Sequence, residues 1–288
     1  MKKKQKLRIV YFLKIVITVI ILFIIFRKIN FSEVVTNFGK LNFQIIILLF
    51  ITALIKIYLG YKNWGNYLEL NPEYESDKTE TFRSLMIGYA LRFLIPGGYG
   101  IVGKVYFVKN KKRSTLVSIG IEKFIQIWTA LLFASFAAVF YFQQLSIYLK
   151  LSLFVLILFS PLLISLVSRI MKKKAKPYLG NYNRFLFAIS LRQNLFMLFT
   201  LLQFYLILNF FGTIDLFTIL ITVPLILTAN LIPISYAGLG FKETFAIGIL
   251  SRYNISPEIA VTCTLVIFFL NTAAPALLGI YYLIRTRN

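Results

Sequence analysis

An all-α integral membrane protein, a multi-pass helical bundle, is the fold this chain predicts, and three observations carry the prediction. Its 288 residues are 59% apolar and only 15% charged. Runs of Ile, Leu and Phe pass the roughly 18 residues at which a stretch reads as a membrane span. No segment between those runs is long enough to build a water-soluble core. A single transmembrane domain over residues 1–288 is therefore expected, with pseudo-halves at roughly 1–145 and 146–288.

The opening stretch, MKKKQKLRIVYFLKIVITVIILFIIFRK, has the basic start and apolar run of a signal peptide, but no small-residue cleavage site follows. It reads as a retained first helix near residues 9–26. Further spans are predicted near 43–61, 115–141, 149–168, 185–211 and 258–284, giving about six full crossings. Three apolar pieces at 82–95, 215–232 and 239–251 are short for a full crossing.

Cytoplasmic loops collect Lys and Arg, so the basic residues orient the chain. They cluster at Lys2–Arg8, at Lys104–Arg113 and at Arg169–Arg184, and neither internal cluster contains an acid. If all three face the cytoplasm, residues 82–103 leave and return on one side, and 215–251 do the same on the other. Both become re-entrant hairpins, and the amino terminus is cytoplasmic.

Each hairpin carries the same interruption: LIPGGYGIVGK at 94–104 and LIPISYAGLGFKE at 231–243. Aligned, they pair Pro96 with Pro233, Tyr99 with Tyr236 and Gly103 with Gly240. Proline removes a backbone donor and disfavours helix at the residue before it. Gly97, Gly98, Gly100, Gly103, Gly238 and Gly240 would permit left-handed turns. Backbone freed at membrane depth is tolerated only against protein or a wet cavity, so the breaks predict a polar interior. Paired Pro/Gly-broken segments entering from opposite faces are the mark of an inverted repeat with a midplane site. The plainer reading of either motif alone is a kink or a tight packing point.

Charged residues beside the breaks are the candidates for holding a ligand. Arg92 precedes Pro96 by one turn, Lys104 follows the first glycine loop, Lys242 and Glu243 follow the second, and Glu122 with Lys123 opens the next span. Ionisable groups at this depth usually face an interior or a cavity. Helix amino termini after the glycine loops would add donors suited to a phosphate. Plainer readings stand beside these: Lys104 as part of the basic cluster, Arg92 snorkelling, Glu122 in a structural bridge. Lys56, Gln126, Arg192 and Asn271 are weaker candidates that also fit interhelical hydrogen bonding.

With no histidine, one cysteine and ten acids, the chain offers no His/Cys metal site, disulfide or Ser/His/Asp triad. No cofactor, metal or enzymatic activity is expected, and Cys263 reads as a core residue. The net charge of +22 flanks apolar spans instead of forming a basic face with aromatic platforms, so anionic lipid, not nucleic acid, is the expected partner.

The pattern RFLIPGGYGIVGK followed by SIGIEKF, and then NLIPISYAGLGFKE, resembles the flippase-like membrane domain of lysylphosphatidylglycerol synthetases. In that family the domain is associated with moving aminoacylated phospholipid between leaflets, while a soluble domain makes the lipid; the chain contains no such soluble domain. The resemblance would carry a role onto Pro96, Gly100, Gly103, Lys104 and Glu122, and onto Pro233, Gly238, Gly240 and Glu243. Many members place a charge in the first glycine loop, where this chain has Ile101 and Val102, which implies a different headgroup preference.

The expected function is a lipid translocase or lipid-binding protein of the prokaryotic cytoplasmic membrane, handling anionic, aminoacylated or polyprenyl-linked lipid. The alternatives are a secondary transporter of small solutes and a membrane accessory of a glycosyltransferase or lipid-modifying enzyme.

Overall fold

The computed structural model describes Val16, Phe23 and residues 30–212, 214–231 and 239–285, with the backbone alone for 96–99 and 172. The helix predicted near 9–26 lies outside the described residues, as do Pro233, Tyr236 and Gly238. A short helix α1 (Phe31–Lys40) precedes α2 (Phe43–Leu68). Then α3 (Lys78–Leu94) passes into a 3-10 run, Pro96–Phe107, and α4 (Lys112–Tyr141) follows. Next come α5 (Ile147–Ile170), α6 (Lys172–Leu179) and α7 (Tyr182–Phe211). Helix α8 (Leu216–Leu227) ends in a 3-10 turn, Thr228–Leu231, before α9 (Phe241–Leu250). Finally α10 (Pro257–Phe268) joins α11 (Ala274–Arg285) through a π-helical turn, Phe269–Ala273.

Among the described residues five helices are long and apolar enough to cross a membrane: Phe43–Leu68, Lys112–Tyr141, Ile147–Ile170, Lys173–Phe211 and Pro257–Arg285. Local chemistry sets their starts. Asn42, Asp77, Asp215 and Ser256 each accept a hydrogen bond from a backbone N–H of the turn they cap, and Pro257 fills the position where a helix needs no donor. Helix α1 is an element the hydropathy pattern did not reveal; Asn30 caps it, and Val34 packs on Val261 of α10.

Contacts between helix ends sort the chain into two sides. On the first, Lys111 pairs with Glu73, Asn110 accepts from Asn71, Asn181 donates to the Glu69 carbonyl, and Ser114 donates to the Pro177 carbonyl. Both internal basic clusters thus meet the acidic loop at 69–77 at one end of the bundle. On the second side, Phe140 stacks edge-on with Phe217, Arg252 lies over the Tyr141 ring, and Asn30 donates to Glu258.

Both short apolar segments fold back. The 3-10 run returns antiparallel along α3: Gly100 and Gly103 lie against Leu91, Lys104 against Gly88, and the Lys109 N–H donates to Glu80 at 2.9 Å. This hairpin opens on the first side. Helices α8 and α9 also pack on each other, and their outer ends, Phe217 and Arg252, both lie by the end of α4 on the second side. The hairpins pack crosswise, α3 against α11 and α8 against α4. Close approach explains one glycine here, because a Cβ on Gly279 would run into the Met86 carbonyl.

The glycine expectation needs correction in the first hairpin. Gly100 and Gly103 have no positive φ; they are small because Leu91 occupies the space a Cβ would need. Nor does an α-helical amino terminus open after this loop, since the chain continues as 3-10 helix to Phe107. In the second hairpin Gly240 does take a positive φ, 87°, and forms the amino-terminal cap of α9.

Candidate functional site

The first hairpin delivers Lys104 to the interior of the bundle. Its stem crosses Gly88 so closely that a Cβ there would collide with Lys104 Cε. The ammonium donates to Glu122 Oε2 at 2.8 Å and Oε1 at 3.1 Å, and sits 3.8 Å from the centre of the Trp64 ring. Trp64 is fixed in turn by donating its indole N–H to Ser84 Oγ at 2.8 Å. Lys104 is 1% exposed and Glu122 7%, so this is a dry ion pair and not part of the solvated basic cluster. Glu122 lies ten residues into α4, about 15 Å from its start at 1.5 Å per residue.

Around that pair the charge does not balance. Arg92 and Lys123 lie within electrostatic range of each other and of Lys104, and Glu122 is the carboxylate they share. Lys123 donates to Gln126, whose amide donates back to Glu122 at 3.4 Å. Three cations therefore face one acid, an excess of positive charge in a half-buried to buried setting. Tyr67, fully buried with its hydroxyl unpaired among the described residues, stands within electrostatic range of Glu122.

The second hairpin contributes Lys242 and Glu243, 6% and 1% exposed. Glu243 accepts the Gly240 N–H on Oε2 at 2.6 Å, closing the first turn of α9, and leaves its buried Oε1 without a hydrogen bond. Lys242 donates to the Thr264 carbonyl at 3.1 Å and lies 5.7 Å from the Phe268 ring centre. Phe268 of α10 lies against Phe93 at the end of α3 with ring centres 6.4 Å apart, so the end of α3 and Lys242 at the start of α9 address the same α10 ring.

The arrangement brings together Arg92, Lys104, Glu122 and Lys123 on one side of Phe93 and Phe268, and Lys242 with Glu243 on the other. Sequence reading gave Lys56 and Asn271 little weight and overlooked Gln203 and Trp64. A single lysine in the apolar stretch IIILLFITALIKIYLG was the available signal for Lys56; Trp64 and Gln203 carry none without their partners. Arg192 donates to Asn63 at 3.4 Å, joining α7 to α2 as interhelical glue. Cys263 is fully buried in the core, as expected. Among the described residues no cluster of His, Cys, Asp and Glu is placed to hold a metal.

Fold and site define a multi-pass helical membrane protein with two hairpins that bury ionisable side chains. The chain belongs to the lysylphosphatidylglycerol synthase TM region family, whose family model matches residues 11–279. No curated protein and no solved structure matches it.

Proposed function

We propose that the protein is a lipid translocase of the prokaryotic cytoplasmic membrane, passing an anionic or aminoacylated phospholipid, or a polyprenyl-linked lipid, between leaflets in envelope biogenesis. The observation that carries this reading is the surplus of basic side chains at the first hairpin, half-buried Arg92 and Lys123 beside the buried Lys104–Glu122 pair, in a family whose name ties it to a charged phospholipid. A phosphate is the counter-charge such a site lacks. It would approach Arg92 and Lys123 and then compete with Glu122 for Lys104, while acyl chains stay in lipid. Charges at this depth interact strongly; two unit charges 4 Å apart contribute about 4 kcal/mol at an effective dielectric near 20. The hairpins open on opposite sides, which suits alternate access of a headgroup to each leaflet.

By the distribution of basic residues, the side bearing Lys111 and Lys176 is cytoplasmic, as is the amino terminus. We read the protein as non-enzymatic, since the chain has no histidine and among the described residues the Ser/Thr hydroxyl–carboxylate contacts, Ser76 with Glu69 and Thr218 with Asp215, lie in a loop and a helix cap. The test is lipid scrambling in proteoliposomes with labelled anionic and zwitterionic phospholipids, comparing the parent with Arg92→Ala and Glu243→Ala. Headgroup-dependent scrambling that falls in both variants supports the translocase. Transport of a water-soluble ion with no lipid dependence would replace it with a small-solute transporter. Copurification with a lipid-modifying enzyme, its activity unchanged in both variants, would replace it with an accessory role.

A further inference from the structure

Lys56 lies midway along α2, about 18 Å from either end. It is 3% exposed, and its described partners are Gln203 Oε1 at 3.1 Å and the face of Phe196 at 4.5 Å. Gln203 is held in register by donating to Thr52 at 3.1 Å and by accepting from Asn271 at 2.7 Å. Asn271 belongs to the π-helical turn between α10 and α11, a local rewinding that often marks a functional position.

Thr264, Phe268 and Asn271 follow at helical spacing on one face. Lys242 touches the first two and the Lys56–Gln203 pair touches the third, so both lysines address the same face about two turns apart. They lie within electrostatic range of each other, Glu243 lies within range of Lys242, and neither lysine forms a salt bridge among the described residues.

An ammonium carries three donors, and among the described residues each lysine has one hydrogen-bond acceptor. Lys150 shows the contrast: its ammonium is satisfied by the Val139 and Phe142 carbonyls at the end of α4. Two buried amines with spare donors, and Glu243 as the carboxylate in range of Lys242, are costly to ionise unless something accepts those donors and balances the charge.

We propose that Lys56 and Lys242, oriented by Gln203 and Asn271, form an anion-binding site for a phosphate-type oxyanion, distinct from the Lys104–Glu122 pair. The oxyanion is either the phosphodiester of a phospholipid or free inorganic phosphate. The lipid alternative rests on the translocase reading; the site itself does not. If the headgroup is the occupant, this is the second of two stations, one at each hairpin.

The test measures binding and not transport, so its failure is separable from a failure of translocation. The parent is placed in phosphatidylcholine nanodiscs, and its thermal unfolding midpoint is followed while inorganic phosphate replaces chloride at constant ionic strength. In a parallel series phosphatidylglycerol replaces part of the phosphatidylcholine. Lys56→Gln, Lys242→Gln and Lys112→Gln are compared, with Asn271→Leu as a charge-preserving variant should a lysine variant not fold.

A saturable rise in midpoint is expected, with apparent affinity falling about tenfold or more in Lys56→Gln and Lys242→Gln, as loss of a charge-assisted hydrogen bond implies. Asn271→Leu should also weaken it, and Lys112→Gln, an exposed lysine outside both hairpin interiors, should retain it. A response to both phosphate and phosphatidylglycerol, or to phosphate alone, assigns a site for the free anion; a response to phosphatidylglycerol alone assigns the headgroup. No rise in the parent, or an equal rise in every variant, overturns the proposal.

Discussion

Removing one member of the buried pair at the first hairpin should cost far more than removing both. With Lys104 1% exposed, Glu122 7% exposed and 2.8 Å between their charged atoms, neither can find water if its partner is lost. Breaking such a pair costs about 3–5 kcal/mol, whereas replacing both by apolar groups of similar volume is often neutral or better. Glu122→Leu and Lys104→Met are therefore each expected to destabilise the protein by about 3 kcal/mol, and the two together to lie within about 1 kcal/mol of the parent. The coupling from the double-mutant cycle should exceed about 2 kcal/mol. Equilibrium unfolding in mixed micelles, followed by tryptophan emission, measures it. The chain has two tryptophans, and the Trp64 ring centre lies 3.8 Å from the Lys104 ammonium, so Lys104→Met should also shift the folded-state emission. Single-variant losses below about 1 kcal/mol that simply add would refute a dry, coupled pair.

Close packing gives a second expectation: Gly279→Ala meets the Met86 carbonyl and should lose about 1–3 kcal/mol, while Gly120→Ala, on an open part of α4, should be neutral or gain up to about 1 kcal/mol. On the first side, Lys111, 2.6 Å from Glu73, holds that carboxyl below its ordinary value of 4.5. A lowered carboxylate pKa contributes stability that is complete above the unfolded value and fades as pH falls through the folded one. The protection that this pair gives residues 69–77 against hydrogen exchange should therefore be full and independent of pH near neutrality and fade below about pH 4.5, a pH dependence that Glu73→Gln removes. Topology supplies a fourth: with Cys263 replaced by Ala, single cysteines at Lys109 and Asn254 should label with impermeant reagent from opposite faces. Labelling of both from one face would contradict hairpins that open on opposite sides.

Much of the fold was legible because hydrophobic length and proline leave local marks. The predicted spans at 43–61, 115–141, 149–168, 185–211 and 258–284 fall within helices that run somewhat longer, since caps such as Asn42, Asp77 and Ser256 set the ends and apolar content does not. Pro96 and the return of Lys109 to Glu80 make a hairpin of a segment whose brevity had already suggested one. Helix α1 was hidden because its apolar positions are few and its anchoring partner, Val261, lies in the last span.

The site was legible in its charges but not in its partners. Lys104 was ambiguous in sequence because it adjoins the basic cluster, and only the antiparallel return of its segment along Gly88 carries it inward to Glu122 and Trp64. Lys56 was underweighted because its meaning depends on Gln203, 147 positions away, and on a π-helical turn that no local pattern announces.

The most direct test of the central claim is to photo-crosslink the protein with an anionic phospholipid bearing a diazirine on its headgroup and to map the adducts by mass spectrometry. The account predicts adducts on residues 88–107, 118–126 and 240–247, reduced in Arg92→Ala. An external groove of about 760 Å³ between Leu151 and Leu163 on α5 is lined by apolar residues and serines and suits acyl chains. Headgroup adducts confined to that groove, unchanged in Arg92→Ala, would contradict a headgroup path between the two hairpins.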